Sequence, residues 1–381
     1  MKDKLSSKVA ILSISIFLMS HLAIAPAIPK MFEFYHAQNP QLGLASVENL
    51  VTIPAMMITI FVMLSPFVVA RLGKKKTVQL GLILILISGL VSFFTRQFVV
   101  VLVCRLLLGI GIGLYNSLSI SIISDHYTGQ TRANMIGLRT ATLNIGKALT
   151  TFIVGLALLV GVNYTYLVYL LVIPVYFFFS KFVPESTQDP HSVKAMATFD
   201  RSALYLMLIT FFVGISYIGA TIKIPTLLVS KYHYSSFFAS NILTVLAVSG
   251  IIIGIVFGYL TRVLKEGTLL LMIVAMGLGN LLLTFGNSKI LFVVAAILIG
   301  ASFVGTMSSV FYYIAKHYSL AHNNFITSLA LTAGNIGVIL TPVVLTKLPS
   351  ALHLEAFITP FYMTSALMLV CMGLYSLLKK V

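Results

Sequence analysis

Acidic residues are scarce in this chain: nine Asp and Glu stand among 381 residues. None of them (Asp3, Glu33, Glu48, Asp125, Glu185, Asp189, Asp200, Glu266, Glu355) falls at the middle of an apolar segment. No His-Glu-x-x-His occurs, so zinc hydrolysis lacks its ligands and base, and no Gly-x-x-x-x-Gly-Lys-Ser/Thr occurs, so ATP has no phosphate cradle. The two cysteines, Cys104 and Cys371, lie in separate apolar runs, which excludes a disulfide framework and metal-ligand spacing. No metal, cofactor or enzymatic constellation is expected.

Charged residues of both signs make up 9% of the chain against 59% hydrophobic, and the mean hydropathy is +1.04. No soluble core absorbs that much apolar sequence, so the composition points to an all-α polytopic membrane protein in a lipid bilayer. About 20 apolar residues cross a bilayer. On that ruler the chain holds twelve transmembrane helices, near 9–31, 47–69, 77–94, 98–123, 135–160 and 164–182, then 203–229, 239–261, 267–286, 290–315, 325–346 and 356–378. The first run is too long for a signal-peptide core and lacks a small-residue cleavage site, so it reads as a retained span. The polar stretch between the two sixes reads as a linker, giving bundles at 1–182 and 203–381 joined by 183–202.

The net charge of +16 is read by its distribution. Lys30, Arg96, Lys223, Lys231, Lys289 and Lys347 fall on one side, Arg105, Arg139 and Lys147 fall within spans, and the other sixteen of the 25 Lys and Arg fall on the opposite side. That bias predicts both termini in the cytoplasm, with the protein in the inner (plasma) membrane. Basic clusters divided among short loops also argue against nucleic acid as a partner.

An internal repeat organises the chain. A gapless shift of 191 sets Asp125-His126-Tyr127-Thr128 on Lys316-His317-Tyr318-Ser319, Asn144-Ile145-Gly146 on Asn335-Ile336-Gly337, Arg71 on Arg262, Lys74 on Lys265 and Gly109 on Gly300. The first helix needs 196, pairing Pro29 with Pro225 and His21 with Tyr217. Two pseudo-symmetric, parallel six-helix halves follow, an arrangement in which transporters hold substrate between the halves near the midplane.

These features resemble the major facilitator superfamily along nearly the whole chain. Its loop after the second helix, Gly-x-x-x-Asp-Arg-x-Gly-Arg-Lys, appears as Pro66-Phe67-Val68-Val69-Ala70-Arg71-Leu72-Gly73-Lys74-Lys75, with Asp replaced by Ala70. Its Arg-x-x-x-Gly-x-Gly-x-Gly element appears as Arg105-Leu106-Leu107-Leu108-Gly109-Ile110-Gly111-Ile112-Gly113. The antiporter signature of the fifth helix keeps only Gly146 and Gly155. Leu22-Ala23-Ile24-Ala25-Pro26-Ala27-Ile28-Pro29 most resembles the drug:proton antiporter branch. The resemblance implies a monomeric secondary transporter of a small-molecule solute working by alternating access, with proton-coupled efflux of the multidrug type as the leading expectation. Proton-coupled import of an organic anion is the alternative, and a receptor or scramblase on the same fold a more distant one. The family pattern also implies a gating set of Arg71, Gly73, Lys74, Asp125 and Arg132, with Arg71 able to pair with Asp125.

The residues themselves suggest the site. Arg105 and Lys147 lie inside hydrocarbon, where a cation costs several kcal/mol, so each needs a partner, water or ligand. Arg105 shares a helix face with Gly109, Ile112 and Asn116, and reads either as a substrate and coupling residue or as a clamp on neighbouring carbonyls. Thr140, Asn144, Lys147 and Thr151 fall within roughly 60° of one another, one polar stripe on the fifth helix. Lys147 reads either as a cavity cation or as one neutralised by a neighbouring helix; Arg139, near its helix end, reads as snorkelling. His21 titrates in the range of a proton carrier or packs through a hydrogen bond, and Tyr217, Asn116, Asn144 and Asn335 offer uncharged hydrogen bonds to a solute. Glu33 and Glu48, near helix ends, are the carboxylates placed to join His21 and Arg105 in proton coupling. With cations as the deepest charges, Coulomb attraction favours an anionic or neutral polar solute.

Overall fold

The computed structural model describes residues 5–127, 129–184, 200–318 and 320–380; of residues 129, 130, 132–134, 137 and 320–325 only the backbone is described. The expected linker therefore falls mostly outside the described residues, and Arg132 lies outside the described side chains.

Twelve helical segments follow one another. α1 has two arms, Leu5–Phe17 and Ser20–Gln38, bent by 41°. Pro26 and Pro29 donate no N–H, so the carbonyls of Leu22 and Ala25 lose their α-helical donors. Over this stretch the backbone tightens into short 3-10 turns at Ile14–Phe17, Ser20–Leu22 and Ala25–Ala27. α2 (Leu44–Leu72) turns into α3 (Lys74–Phe94) through Gly73 alone. Gly73 has φ 80 and ψ 163, a region essentially closed to residues with a Cβ, which explains that glycine in the loop. α4 (Phe98–His126) breaks at Ser117, between Phe98–Asn116 and Leu118–His126. α5 (Gly129–Ala157) and α6 (Asn163–Phe182) complete the first six.

α7 (Arg201–Lys231) starts on Asp200, whose carboxylate accepts from Ala203 N at 2.8 Å, an N-cap. It ends in a π turn at Leu227–Lys231, just past Pro225. α8 (Ser236–Leu264), α9 (Gly267–Leu282), α10 (Lys289–His317), α11 (Leu320–Pro342, continued by a π turn at Val343–Lys347) and α12 (Thr359–Leu378) follow. Ten of the described helices are long and apolar enough to cross a membrane, and the bent α1 makes an eleventh. α9 has 16 residues; its helix stops short of the expected 286. The chain is thus an all-α polytopic membrane protein, with no strand among the described residues.

The chain divides into two compact units, Met1–Pro190 with Ser236–Asn241, and His191–Ser235 with Ile242–Val381. In the first, α4 is wedged between α2 and α3 by its glycines. A Cβ at Gly109 would lie 2.5 Å from Pro54 O and one at Gly113 3.0 Å from Ile58 O, while a Cβ at Gly111 would lie 2.6 Å from Gly81 O on α3. Gly109 and Gly113 thus step along α2 in register, four residues for four. The repeat recurs in packing as well as in sequence. A Cβ at Gly146 would collide with Ile16 O of α1, and one at Gly337 with Phe211 O of α7. The shift in the first helix at this contact is 195, within one residue of the 196 that aligns Pro29 with Pro225. Cys104 and Cys371 are buried and unpaired.

Candidate functional site

The break in α1 receives the most deeply buried arginine of the first unit. Arg105, 0% exposed, sits one turn before Gly109, so the close approach of α4 to α2 brings its guanidinium over Leu50. Pro54 follows Leu50 by four residues and supplies no N–H, leaving the Leu50 carbonyl without its helical donor. Arg105 Nε donates to that carbonyl at 2.6 Å, Nη1 to Tyr169 Oη at 2.6 Å, and Nη2 to the carbonyl of His21 in the break. The Tyr169 hydroxyl in turn donates to Ser20 O at 3.0 Å. Its ring fits because α3 carries Gly89 there; a Cβ at that position would lie 2.5 Å from Tyr169 Cβ. The partner that Arg105 requires is therefore a set of carbonyls and a phenol from α1, α2 and α6, the clamp of the two sequence readings.

Arg139 behaves alike. Rather than snorkelling, it crosses from α5 to the break in α4, donating to Ser119 Oγ at 2.7 Å and to Asn116 Oδ1 at 3.2 Å. Asn116, half-buried, is thus held by Arg139.

The polar stripe on α5 graded by depth: Thr140 is exposed, Asn144 and Thr151 are buried, and Lys147 is 1% exposed. Asn144 donates to Thr140 O at 3.1 Å. Lys147 engages other groups, as does Glu48, which is 0% exposed. Glu33 is exposed. Lys147 and Arg105 both lie within electrostatic reach of the buried His21 ring. Among the buried polar atoms without a hydrogen-bond partner are His21 Nδ1 and Ser15 Oγ on α1, Thr52 Oγ1 on α2 and Thr151 Oγ1 on α5. Such orphaned groups cost about 1–3 kcal/mol each unless something fills them.

In the second unit Tyr217 is buried and stacked on Phe303, ring centroids 3.7 Å apart, and Asn335 is half-buried. Here sequence reasoning missed Lys223. Assigned to the loop cations, it is 3% exposed inside α7 and donates to Thr346 Oγ1 at 2.7 Å, across to the π turn that follows α11. Its position inside the 203–229 span was the available signal. Each unit therefore buries a lysine in the corresponding helix pair, on α5 against α1 and on α7 against α11.

Of the expected gating residues, Arg71, Gly73 and Lys74 form the α2–α3 turn and Asp125 reaches it from α4. Asp125 at the end of α4 pairs with Lys74 at 2.6 Å, both largely buried, and Arg71, the expected partner, is exposed. In the second unit Lys316, which the repeat sets on Asp125, pairs with Glu266, which it sets on Lys75. The loop-to-helix ion pair recurs with its signs exchanged.

A family match covers most of the chain. The profile of the Major Facilitator Superfamily matches residues 10–342 and 206–380. The chain belongs to the Major Facilitator Superfamily. Among solved structures, a point mutant of the nucleoside transporter NupG aligns with a TM-score of 0.81 at 14% identity, covering 98% of this chain and 99% of that one. The human organic anion transporter MFSD10 (TETRAN) aligns at 0.68 and 16% identity, covering 97% and 98%. A bacterial homologue of the human lysosomal transporter Spinster, inward-facing and unoccupied, aligns at 0.77 and 15% identity, covering 99% and 98%. No curated protein matches. At these identities the likeness is one of superfamily fold, and membrane transport is the activity that the family supports.

One ion pair of this superfamily member gives a pH prediction. The hydrogen bond from Lys316 holds the Glu266 carboxyl below the usual range, against a smaller opposing effect of partial burial. A depressed carboxyl contributes stability that is present above its unfolded value of about 4.3 and is lost as pH falls through the lower folded value. With side chains 49% and 32% exposed, the pair is screened and its contribution small. Lys316→Ala is expected to lower the melting temperature slightly at neutral pH, with the gap from wild type closing below roughly pH 4. A gap of constant size down to roughly pH 3 would assign the loss to packing instead.

Proposed function

We propose that the chain is a proton-coupled secondary transporter that moves a small organic anion or neutral polar solute outward by alternating access, on the pattern of the drug:proton antiporter branch. It works as a monomer in the inner membrane with both termini cytoplasmic, 1–182 and 203–381 forming the two bundles and 183–202 the linker. Lys147, with Asn144 on the same stripe, His21, Tyr217 and Asn335 are the residues that contact the solute. Glu48 carries the proton, because it is the acidic residue that the fold withdraws wholly from water among the described residues. Arg71, Gly73, Lys74 and Asp125 form the gating turn.

The observation that carries this reading is the burial of Lys147, at 1% exposure, within electrostatic reach of the His21 ring, whose Nδ1 has no hydrogen-bond partner. A second buried cation, Lys223, supports the preference for negative or electron-rich solutes over cations.

The test is counterflow in proteoliposomes with labelled benzoate, uridine and tetraphenylphosphonium. Benzoate or uridine is expected to exchange and tetraphenylphosphonium to stay out. An inward proton gradient should then drive solute out of right-side-out vesicles; accumulation inside would reassign the protein to anion import. Exchange of tetraphenylphosphonium alone would overturn the solute class, and absence of any exchange would favour the receptor reading.

A further inference from the structure

The two arginines within the spans of the first unit, Arg105 and Arg139, both reach helix breaks, and that coincidence has a physical basis. A membrane-embedded helix tolerates a broken stretch only where other groups satisfy the carbonyls it frees. α1 is broken over its 3-10 turns, α2 has the Leu50 carbonyl freed by Pro54, and α4 is broken at Ser117. Arg105 reaches carbonyls of the first two, and Arg139 reaches the third through the Ser119 and Asn116 side chains, with a longer contact of 3.5 Å to the Asn116 carbonyl. A guanidinium suits this work because its planar fork presents five N–H donors in fixed directions and keeps its charge. Lysine offers one nitrogen and no fork.

We infer that Arg105 is a positioning residue: it pins the His21 carbonyl of the broken α1 to the Leu50 carbonyl that Pro54 orphans in α2, with Tyr169 tying Ser20 O into the same knot. The pinned segment carries His21, so the clamp fixes where that imidazole stands. Gly109 sets the helix spacing that lets the clamp reach, and Gly89 makes room for Tyr169. The four features form one device, and none of it requires a solute. The inference stands whether or not the anion reading of Lys147 does.

The experiment is hydrogen–deuterium exchange of the full chain in nanodiscs, wild type against Arg105→Lys and Tyr169→Phe. Arg105→Lys keeps the charge and loses the fork; exchange across 19–27 is expected to speed up at least tenfold, while helices of the second unit stay at wild-type rates. Tyr169→Phe, which keeps the ring beside Gly89, is expected to give a smaller rise in the same segment and serves alone if Arg105→Lys does not fold. Pro54→Ala supplies the missing N–H four residues after Leu50, so the drop in melting temperature caused by Arg105→Lys should shrink in that background. A uniform rise across both units, no rise at 19–27, or melting shifts that simply add would overturn the clamp.

Discussion

Replacing Lys147 by alanine is expected to abolish counterflow of benzoate while the protein keeps its helical content and a cooperative melting transition. The side chain is 1% exposed on α5, and the positions around it supply neutral dipoles: the amide of Asn144, the hydroxyl of Thr151 and the His21 ring. A solute carboxylate bound here without the ammonium would lose its charge-assisted donor and rely on dipoles such as these to offset its desolvation. Charge-assisted hydrogen bonds are each worth about 1.5–3 kcal/mol, and losing one partner of a desolvated pair costs about 2–5 kcal/mol. At about 1.4 kcal/mol per tenfold, the loss spans roughly one to more than three orders of magnitude in affinity. Alanine also leaves a void, so Lys147→Met is the companion variant: it fills similar volume with an apolar, adaptable chain. Both variants should lose benzoate exchange, and Lys147→Arg should retain a measurable part. If Lys147→Met transports like wild type, Lys147 is a structural cation and leaves the site. Uridine provides the internal comparison, since a neutral solute loses a dipolar contact rather than an ion pair and its counterflow should fall much less.

The legibility of this chain was uneven for physical reasons. Spans, the halves' kinship and the need of Arg105 for a partner follow from hydropathy, self-similarity and the cost of a cation in hydrocarbon, all of which live in residue identity. The partners themselves are backbone carbonyls, and a carbonyl is the same at every position. Only its loss of a donor leaves a mark, and Pro54 four residues after Leu50 is such a mark. Lys223 was misplaced because the side count assigned a cation six residues from the expected helix end at 229 to the adjoining loop, although it lay inside the span; in the structure it is buried and donates to Thr346. Arg139 was misread for the opposite reason: closeness to a helix end suggested water, while the break in α4 offered a nearer acceptor. The exchange of signs between the Lys74–Asp125 and Lys316–Glu266 pairs was present in the aligned repeat, but a pairing needs distance, and the loop geometry selected Lys74 over Arg71.

The packing reading makes the sharpest stability claim, because one substitution type should have opposite consequences at different glycines. Gly146→Ala adds a single methyl to α5, and that methyl would meet the O, Cα and C atoms of Ile16, all of them backbone. A side chain rotates away from such a collision; backbone does not, so α5 and α1 must separate along the contact. Overpacking commonly costs about 1–3 kcal/mol and more where nothing yields, so Gly146→Ala is expected to fall at or beyond the top of that range. Gly337→Ala should do the same in the second unit, where its methyl would meet Phe211 O. Gly373→Ala on α12 has nothing within 4 Å of the added methyl; it should be neutral or slightly stabilising, since glycine inside a helix costs about 0.5–1 kcal/mol relative to alanine. Thermal melting of the three variants in one detergent decides the matter. Equal melting temperatures for Gly146→Ala and Gly373→Ala would mean that α5 does not lie against the broken helix, and with that contact would go the electrostatic reach of Lys147 to His21.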